Sequence, residues 1–396
     1  MSKNKKLVPK RRFKEFQNSD AWEQRELGEV VQITMGQSPL GSNYTENPSD
    51  YILVQGNADM KNGKVFPRIW TTQVTKTAEP DDIILSVRAP VGDVGKTDYN
   101  VVLGRGVAGI KGNEFIYQLL SKMKSDSYWG KYSTGSTFDS INSNDLKEAN
   151  ICIPSTNEQV QIGSFFRNLD QTIAFQQRKL EKMKSMKSAY LSEMFPAEGE
   201  RKPKRRFPGF TDAWEPRELG EVGQINTGNT PPTSNSQNYE EDGLLWVTPT
   251  DIDGNIIRTT AKKLSKLGIK KARVVPKGSI LATCIASIGK NALILEDSAF
   301  NQQINSLSPN ENNDSYFLLT QSELWSKKMQ SIAASGTMQI INKTEFSKLS
   351  FYFPVLTEQK HIGEFFSSLD ETIAFQQQKL EKLQNIKKAY LKEMFI

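Results

Sequence analysis

The sequence predicts an α+β fold with a pseudo-twofold internal repeat: two tandem α+β domains, separated and joined by two long helices that form an antiparallel intramolecular coiled coil. Two observations predict this arrangement. Residues 170–195 and 370–395 agree at 18 of 26 positions when they are aligned at an offset of 200. In both copies apolar residues recur at heptad spacing, which is typical of a helix that packs along a seam. Because the other copy is the one matching partner in the chain, we expect the two helices to pack on each other.

Each predicted helix carries two rows of seam residues. Both seams are interrupted at equivalent places, by Gln176 and Gln376 on one row and by Lys187 and Lys387 on the other. Polar seam residues fix the register of a coiled coil at some cost in stability, and long lysine stems reach out of a seam. The alternative is two unrelated surface helices on separate cores. The rows consist of Ile162, Leu169, Met183 and Tyr190 with Phe166, Ile173, Leu180 and Met194, and of Ile362, Leu369, Leu383 and Tyr390 with Phe366, Ile373, Leu380 and Met394.

Capping signals predict where the helices begin. Ser155 with Glu158 forms a capping box for a short first helix, and Ser368 with Glu371 forms one for the long second helix. We therefore expect a break near Asn168 or Ser368. From there to the closing phenylalanine, about 27 residues at ~1.5 Å each give a rod of roughly 40 Å.

The composition is that of a globular protein. The chain has 396 residues, 37% of them hydrophobic and 24% charged, with a net charge of +6 and a pI near 9.0. This is enough chain for two or three domains, and the mild positive excess indicates a polyanionic partner. Cys152 and Cys284 lack metal-type spacing and are expected to be core residues in a reducing cytoplasm. No apolar run approaches 18 residues, which predicts a soluble, cytoplasmic protein that does not enter a membrane.

The duplication includes the start of each repeat. The string PKRRF occurs at residues 9–13 and 203–207, and AWEQRELGEV (21–30) matches AWEPRELGEV (213–222) at 9 of 10 positions. The PKRRF strings are interpreted either as phosphate-touching arms or as solvated linkers, and the sequence leaves both open. The second follows PAEGE (196–200), which is typical of an interdomain hinge.

The two middles of the repeat, residues 31–150 and 223–350, barely match each other. Each contains short β-branched runs broken by Gly, Pro, Asn and Asp, with helical stretches at 115–124 and 316–333, so each is predicted to be an α+β domain of roughly 130 residues. Matching repeat ends around middle segments (the inserts) that differ in sequence are typical of a protein that presents two different recognition surfaces. The predicted segments are a first recognition domain (1–155), a central helical repeat (156–196), a linker (197–207), a second recognition domain (208–355) and a C-terminal helical repeat (356–396).

Groups for catalysis are scarce. The single histidine, His361, lies at the start of a seam helix, where a surface or capping role is favoured over a general base. The nearest approach to a phosphate-binding loop, Gly95-Lys96-Thr97, has Pro90 where the first glycine belongs. Neither an amino-methyltransferase string nor a local nuclease motif occurs. The sequence therefore predicts a chain that is not an enzyme and relies on other chains for catalysis.

The chain resembles, over its whole length, the DNA-specificity subunits of type I restriction-modification systems. The resemblance rests on the twofold repeat, the AWExRELGEV openings, and short strings that occur in both halves. Further stretches look like those of the family's target-recognition domains. The strings are GQSP (36–39), GNTP (228–231), IP (153–154) and FP (353–354) ahead of EQ (158–159, 358–359), and FFRNLDQTI and FFSSLDETI from Phe165 and Phe365; the stretches are SVRAPVG (86–92), GRGVA (104–108), TPTDI (248–252) and FNQQI (300–304).

This resemblance implies that each recognition domain reads one half of a bipartite, asymmetric, gapped site in double-stranded DNA. It also implies that the coiled coil docks two methyltransferase subunits, which supply S-adenosylmethionine and adenine methylation. Two restriction motor-nuclease subunits would supply ATP- and Mg²⁺-dependent translocation and cleavage. No cofactor is expected in this chain.

Several side chains and turns are candidates for DNA contact. Arg88 and Arg105 suit bidentate reading of guanine O6/N7, whereas Lys96 and Lys290 suit phosphates. Asn301, Gln302 and Gln303 offer amide forks for adenine N6/N7, or satisfy turn backbone. Thr250 belongs to a family-like stretch. Loops with backbone N–H and hydroxyl groups suited to phosphate, or required merely for the turn, are Gly36, Gln37 and Ser38, Gly228, Asn229 and Thr230, Ser136 with Thr137, and Gly336 with Thr337.

Two rival functions remain. A duplicated, repressor-like DNA-binding protein would act alone, without a methyltransferase partner. A scaffold that binds two proteins and no DNA would leave the basic PKRRF strings without a purpose. The sequence does not give the recognised bases, because base readout depends on which side chains reach which groove edge.

Overall fold

The computed structural model describes residues 7–132, 140–335 and 340–396. The chain divides into two compact units, one formed by Met1–Lys179 with Gln377–Ile396 and the other by Leu180–Gln376. Each unit therefore combines one α+β body with a part of each long helix. The five-segment division predicted from the sequence stays a prediction. In the described part of the chain, no helix is both long and apolar enough to cross a membrane.

The first unit consists mainly of short strands around one amphipathic helix. Asn113 caps that helix, because its side-chain oxygen accepts a hydrogen bond from the backbone N–H of Ile116 at 3.0 Å. The elements are β1 Glu23–Glu26, α1 Leu27–Val30, β2 Gln32–Met35, β3 Tyr44–Thr45, β4 Tyr51–Val54, β5 Met60–Lys61, β6 Lys64–Val65, β7 Trp70–Thr71, β8 Lys76–Ala78, β9 Ile83–Ser86, β10 Val94–Lys96, β11 Val101–Leu103, β12 Val107–Lys111, α2 Glu114–Ser125, α3 Ser143–Lys147, β13 Asn150–Ile153 and the start of α4 Thr156–Met194.

The strands of this unit form two larger sheets and one small ladder. One sheet has the order β2-β12-β9-β10-β6-β5, the other has β3-β7-β4-β11-β8, and β1 pairs antiparallel with β13. All four residues of β9 are buried, as expected of a continuous apolar run in the middle of a sheet. Strands β4 and β9 confirm two of the predicted β-branched runs, and α2 confirms the predicted helix at 115–124.

The second unit repeats this plan with different sequences. Its elements are β14 Glu215–Glu218, α5 Leu219–Val222, β15 Gly223–Thr227, β16 Tyr239–Val247, β17 Ile256–Ile257, β18 Lys262–Leu264, α6 Lys266–Ile269, β19 Val274–Val275, β20 Ile280–Thr283, β21 Asn291–Ile294, β22 Ser298–Phe300, β23 Ile304–Pro309, α7 Ser315–Ser335, α8 Lys343–Ser347, β24 Ser350–Phe353 and α9 Leu356–Met394. The sheets have the orders β15-β23-β20-β21-β17 and β18-β16-β22-β19, and β14 pairs with β24 as β1 pairs with β13.

The long helices pack antiparallel, as predicted. In the first unit Phe165, near the start of α4, contacts Tyr390, near the end of α9, with ring centroids 5.2 Å apart. In the second unit Tyr190 and Phe365 make the reciprocal contact at 5.1 Å. The described seam residues are buried or half-buried in both helices. The heptad pattern therefore identified the packed face correctly.

The lysines in the seam are neutralised by aspartates of the facing helix. Lys387 Nζ lies 2.6 Å from an oxygen of Asp170 in the first unit, and Lys187 Nζ lies 2.9 Å from one of Asp370 in the second. Lys187 also contacts Glu323 of α7 at 2.8 Å. Because each ion pair joins equivalent positions of antiparallel helices, the polar interruptions select this register.

The predicted helix break is wrong. Helices α4 and α9 each run for 39 residues without interruption, so each is about 58 Å long at ~1.5 Å per residue. Asn168 and Ser368 are exposed on continuous helices and accept hydrogen bonds from the threonine four residues later. Glu158 does not close a capping box either, because its carboxylate binds Arg12. The apolar face extends upstream through Phe166 and Phe366, and its burial outweighs the local capping signal.

The end of a long helix completes the core of each unit. Phe395, just after α9, stacks on Phe115 at 5.0 Å and contacts Trp22 edge-on at 6.2 Å. In the second unit Phe195, just after α4, stacks on Phe317 at 5.5 Å and contacts Trp214 at 5.8 Å. All of these rings are buried. Neither α+β core is therefore complete without a helix end from outside its own insert.

The second arginine of each PKRRF string forms an internal clamp, so neither interpretation from the sequence, a phosphate-touching arm or a solvated linker, describes it. Arg12 donates two hydrogen bonds to the Glu158 carboxylate, both at 2.7 Å, and Arg206 binds Glu358 in the same way at 2.6 and 2.7 Å. The Glu158 and Glu358 side chains have no solvent exposure. The bond to Glu158 raises the pKa of Arg12 further. The guanidinium charges of Arg12 and Arg206 are therefore neutralised within the protein.

We expect Arg12→Met to lower the free energy of unfolding by about 3–5 kcal/mol, because it leaves the buried Glu158 carboxylate without a partner. The adjacent Arg11 is a matched control: its ion pair with Glu393 is about half exposed, so Arg11→Met should cost at most about 1 kcal/mol. Denaturant unfolding of both variants measures the difference.

Combining Arg12→Met with Glu158→Met should restore most of the lost stability, because no unpaired charge then remains buried. Equal destabilisation by the Arg11 and Arg12 variants would contradict the clamp.

Candidate nucleic-acid interface

Three loops meet beside the same strands in each unit. In the first unit they are the turn after β2, the end of β9 and the loop before β12. The backbone N–H of Gly36 donates to Val107 O at 2.9 Å and that of Gln37 to Leu103 O at 2.8 Å. In the second unit the equivalent bonds run from Gly228 to Ile304 O at 3.1 Å and from Asn229 to Phe300 O at 2.9 Å. Two unlike sequences therefore build the same backbone frame.

The glycine turns are required by this frame. A Cβ on Gly36 would lie 2.1 Å from Gly104 O, and one on Gly228 would lie 2.2 Å from Asn301 O. Both positions therefore need glycine because two backbones approach closely. Since the N–H groups of these turns already donate within the domain, the structural interpretation explains the turns.

An aspartate fixes a fourth loop beside the frame, and the sequence analysis did not assign it. Asp59 accepts hydrogen bonds from the backbone N–H groups of Gln55 at 2.7 Å and Gly56 at 3.2 Å. Asp251 accepts the equivalent bond from the Thr248 N–H, three residues upstream, at 2.8 Å, and a further bond from the Ala261 N–H at 2.8 Å. The sequence did contain a signal for these loops. In both units an apolar strand ends, and an aspartate follows three or four residues after the first residue beyond the strand. Such side chains commonly close turns.

Arg88 and Arg105 line one open cleft in the first unit. Both side chains are exposed, and within the described residues neither guanidinium has an ion-pair or hydrogen-bond partner. Ser38 fixes the backbone at Arg105, because its hydroxyl accepts the Arg105 N–H at 3.2 Å. The cleft is mostly polar. Its other lining residues are Ser38, Tyr44, Gln55, Gly56, Asn57, Ser86, Ala89 and Gly106.

The amide residues of the second unit divide into structural and projecting side chains. Asn301 is buried; its side chain accepts the Gln303 N–H at 3.0 Å and donates to the Gln303 side chain at 3.1 Å. Asn229 binds Lys271 O and the backbone N–H of Arg273, both at 2.6 Å. Gln302 is exposed, and its oxygen accepts a hydrogen bond from Thr230 at 2.5 Å. Of these amides, only Gln302 therefore points away from the frame.

The two predicted phosphate lysines have different surroundings. Lys96 is partly buried and lies 2.7 Å from the carboxylate of Glu114. Burial alone would raise the pKa of Glu114, but the hydrogen bond and charge of Lys96, with bonds from Gln118 and Arg167, hold it below its usual value. Lys290 is exposed and has no side-chain partner among the described residues. The charge of Lys96 is thus used within the domain, whereas that of Lys290 faces solvent.

The remaining candidates are exposed or lie outside the described residues. Thr250 is exposed, with its hydroxyl 2.9 Å from that of Thr248. Ser136, Thr137, Gly336 and Thr337 lie outside the described residues. The structure thus brings Ser38, Arg88 and Arg105 to one surface of the first unit, and Thr230 and Gln302 to the equivalent surface of the second.

The sequence matches known proteins over most of its length. Residues 19–185 and 211–385 match the family model described as "Type I restriction modification DNA specificity domain". The chain is 33% identical over 205 residues to the putative type I restriction enzyme MjaX specificity subunit of Methanocaldococcus jannaschii, covering 48% of each protein. It is 30% identical over 171 residues to the type I restriction enzyme HindI specificity subunit of Haemophilus influenzae, covering 40% of this chain and 37% of that protein. The chain thus matches about half the length of these curated relatives, or less.

The fold also matches solved structures. A crystal structure of the type I restriction-modification S subunit from M. genitalium superposes with a TM-score of 0.70 at 16% identity, covering 98% of this chain and 99% of that one. A chain from a structure of type I R-M complex assembly and conformational transition gives a TM-score of 0.54 at 18% identity, covering 94% and 97%. At these identities the likeness shows a shared fold.

The two lysines should respond oppositely to substitution. We expect Lys96→Met to destabilise the protein by about 1–3 kcal/mol, because the buried Glu114 carboxylate loses its closest cation. Lys290→Met should leave stability unchanged. If Lys290 touches a phosphate, the Lys290→Met substitution should weaken binding to all duplexes alike and reduce the salt dependence of log K by about 1.

Thermal unfolding and duplex-binding titrations over a range of salt concentrations check both expectations. A stable Lys96→Met variant whose DNA binding depends less on salt would contradict the structural role of Lys96 and identify Lys96 as a phosphate contact.

Proposed function

Because the chain belongs to the family of type I restriction-modification DNA specificity domains, we propose that it gives such a complex its DNA sequence specificity. Each α+β body reads one half of a bipartite, gapped site in double-stranded DNA. The halves differ in sequence, because the inserts that read them differ. The protein acts in the cytoplasm, which agrees with two cysteines that form no disulfide.

One observation carries this proposal: the two units share a backbone frame but present different side chains on it. The hydrogen bonds that hold Gly36 and Gly228 are equivalent, as are those that fix the loops at Asp59 and Asp251. On this common frame the first unit presents Arg105 where the second presents Gln302. Constant backbone with variable exposed side chains is what two readers of different sequences require.

The long helices supply a duplicated surface for partner proteins. Phe175 in α4 and Phe375 in α9 occupy equivalent positions, and they are 57% and 66% exposed. Exposed aromatic side chains of this size are enriched in protein interfaces. Since the same surface occurs twice, we propose that each helix docks one methyltransferase subunit, giving two per complex.

Catalysis would then belong to the partners. The methyltransferase subunits would bind S-adenosylmethionine and methylate adenine, and two restriction subunits would use ATP and Mg²⁺ to translocate and cleave DNA. A repressor-like protein that acts alone is not favoured, because without a partner protein nothing would cover the exposed Phe175 and Phe375 side chains.

Mapping of methylated adenines tests the function. DNA from cells that express the chain with a type I methyltransferase subunit should carry adenine methylation at a two-part, asymmetric, gapped site. Exchange of residues 31–150 for the insert of a relative should change one half of that site and leave the other half as it was. Methylation without sequence preference, or a change in both halves, would refute the two-module function.

The docking surface has its own test. Phe175→Ser with Phe375→Ser should abolish co-purification of the methyltransferase subunit while the chain stays folded, because both side chains are exposed. Val160→Ser is the matched control: Val160 is 59% exposed on α4, but its counterpart on α9 is Lys360, so it does not belong to the duplicated surface. Co-purification and circular dichroism are the measurements, and full retention of the partner by the double variant would exclude this surface.

A further inference from the structure

We propose that two residues at equivalent positions of each unit select the bases, namely Arg88 with Arg105 in the first and Ile285 with Gln302 in the second, and that the arginine pair reads guanine. This inference rests on the proposed function and names the base class that each unit takes. Ile285 was not singled out from the sequence.

The ends of two paired strands bring the two arginines to one surface. Strands β9 and β12 pair antiparallel, with Ser86 opposite Val107 at the end of the ladder. The register continues beyond the strands, because the Val87 N–H donates to Gly106 O at 2.9 Å. One residue further along, the backbone of Arg88 pairs with Ser140, and Arg105 lies in the turn closed by the hydrogen bond from the Val107 N–H to Gly104 O at 3.2 Å. Arg88 and Arg105 line the same cleft.

The second unit has the same register with different residues. Thr283 lies opposite Ile304 at the end of the β20–β23 ladder, and the Cys284 N–H donates to Gln303 O at 2.8 Å. One residue further along, the backbone of Ile285 pairs with Ile340, and Gln302 lies in the turn closed by the hydrogen bond from the Ile304 N–H to Asn301 O at 3.2 Å. By this backbone hydrogen bonding Ile285 and Gln302 are equivalent to Arg88 and Arg105, although residues 86–92 and 283–289 share only two identities.

Two arginines that line one cleft without an acceptor require an explanation. Like charges that lie close together repel each other. Most arginines of this protein have a carboxylate or carbonyl partner, as Arg12 and Arg206 show. In the described part of the chain, Arg88 and Arg105 have none. The pair is therefore arranged for an acceptor-rich ligand that the folded chain does not itself supply.

Guanine and phosphate both offer such acceptors, and the second unit favours guanine. Phosphates are the same in every duplex, so a phosphate clamp at this frame position would be needed in both units. The second unit instead presents Ile285 and Gln302, which carry no charge. Arginine binds guanine O6 and N7 in a bidentate fashion, whereas glutamine matches adenine N6 and N7 and an apolar side chain matches the thymine methyl group. The backbone positions are the same in both units, whereas the side chains on them match different bases, as expected of residues that read bases.

The arginine loops are also held rigidly enough to discriminate bases. A Cβ on Gly106 would lie 2.0 Å from Gln55 O, so the turn that carries Arg105 is packed against the Gln55 backbone. On the other side, Ser86 Oγ donates to Arg88 O at 2.9 Å. Rotation of the guanidinium groups is free, but their points of attachment are fixed.

Selection from a duplex library with randomised half-sites tests the proposal on the purified full chain. The wild-type protein should enrich a two-part site with guanine in one half and an A·T pair at the corresponding place of the other. Arg88→Gln and Arg105→Gln should each reduce the preference for one guanine about tenfold or more, without changing the second half. Ile285→Arg with Gln302→Arg should introduce guanine preference into the second half.

Lysine variants separate base reading from charge. Arg88→Lys and Arg105→Lys retain the charge but lose the bidentate fork, so guanine preference should fall although overall affinity is largely kept. Arg178→Gln is the control for net charge, because Arg178 is exposed on α4 and has no partner among the described residues; it should leave the selected site unchanged.

Thermal unfolding gives a second readout. Arg88→Gln or Arg105→Gln should leave the melting temperature unchanged or raise it, because both side chains are exposed and have no partner among the described residues. A lowered melting temperature for both variants would assign the pair a structural role and overturn the proposal.

The remaining outcomes are distinct. If the wild-type chain enriches no site, the proposed function fails. If it enriches a two-part site whose guanine persists in the glutamine variants, only the present inference fails. Uniform weakening on all sequences, with a smaller salt dependence, would show a phosphate clamp and overturn the base-reading role.

Discussion

The rest of the structure depends on one aromatic contact that occurs twice, the insertion of a phenylalanine from the end of a long helix into an α+β core. Phe395 stacks on Phe115 beside Trp22, and Phe195 stacks on Phe317 beside Trp214. These large buried rings contribute much of the apolar area of each core. Because each ring lies at the end of a long helix, each core is completed only where that helix packs against it. A change in the helix therefore acts directly on the recognition body that it completes.

Ionic contacts then fix the direction and register of the helices. The seam lysines bind the aspartates Asp170 and Asp370 of the facing helices, and the buried clamps from Arg12 and Arg206 hold the first turn of each helix to the chain that precedes its domain. A buried charge tolerates few alternative partners, so these pairs exclude shifted or parallel arrangements that the apolar seam alone would allow. Specificity of assembly is the role that such pairs serve best.

Each recognition body combines a constant backbone frame with a rim of exposed side chains that differ between the two units. Glycines at close backbone approaches, and the aspartates Asp59 and Asp251, hold the loops through backbone hydrogen bonds that do not depend on the sequence being read. Side chains on the rim, among them Arg105 and Gln302, are free to differ. This separation explains how two inserts with little common sequence support the same geometry.

The sequence alone determined the duplication, the packed face of the helices and the α+β character of both inserts, because these follow from periodicity and local propensity. It also contained the family's motifs, and these account for the specificity-domain identity. Tertiary structure decided what required knowledge of distant neighbours. The helices continue through Asn168 and Ser368 because burial of Phe166 and Phe366 outweighs a local cap, and PKRRF became an internal clamp because Glu158 and Glu358 lie next to it. Likewise Lys96 meets Glu114, and the equivalence of Ile285 and Gln302 to Arg88 and Arg105 follows only from backbone hydrogen bonds that no local pattern encodes. Periodicity is a property of neighbours along the chain, and partner choice is a property of neighbours in space.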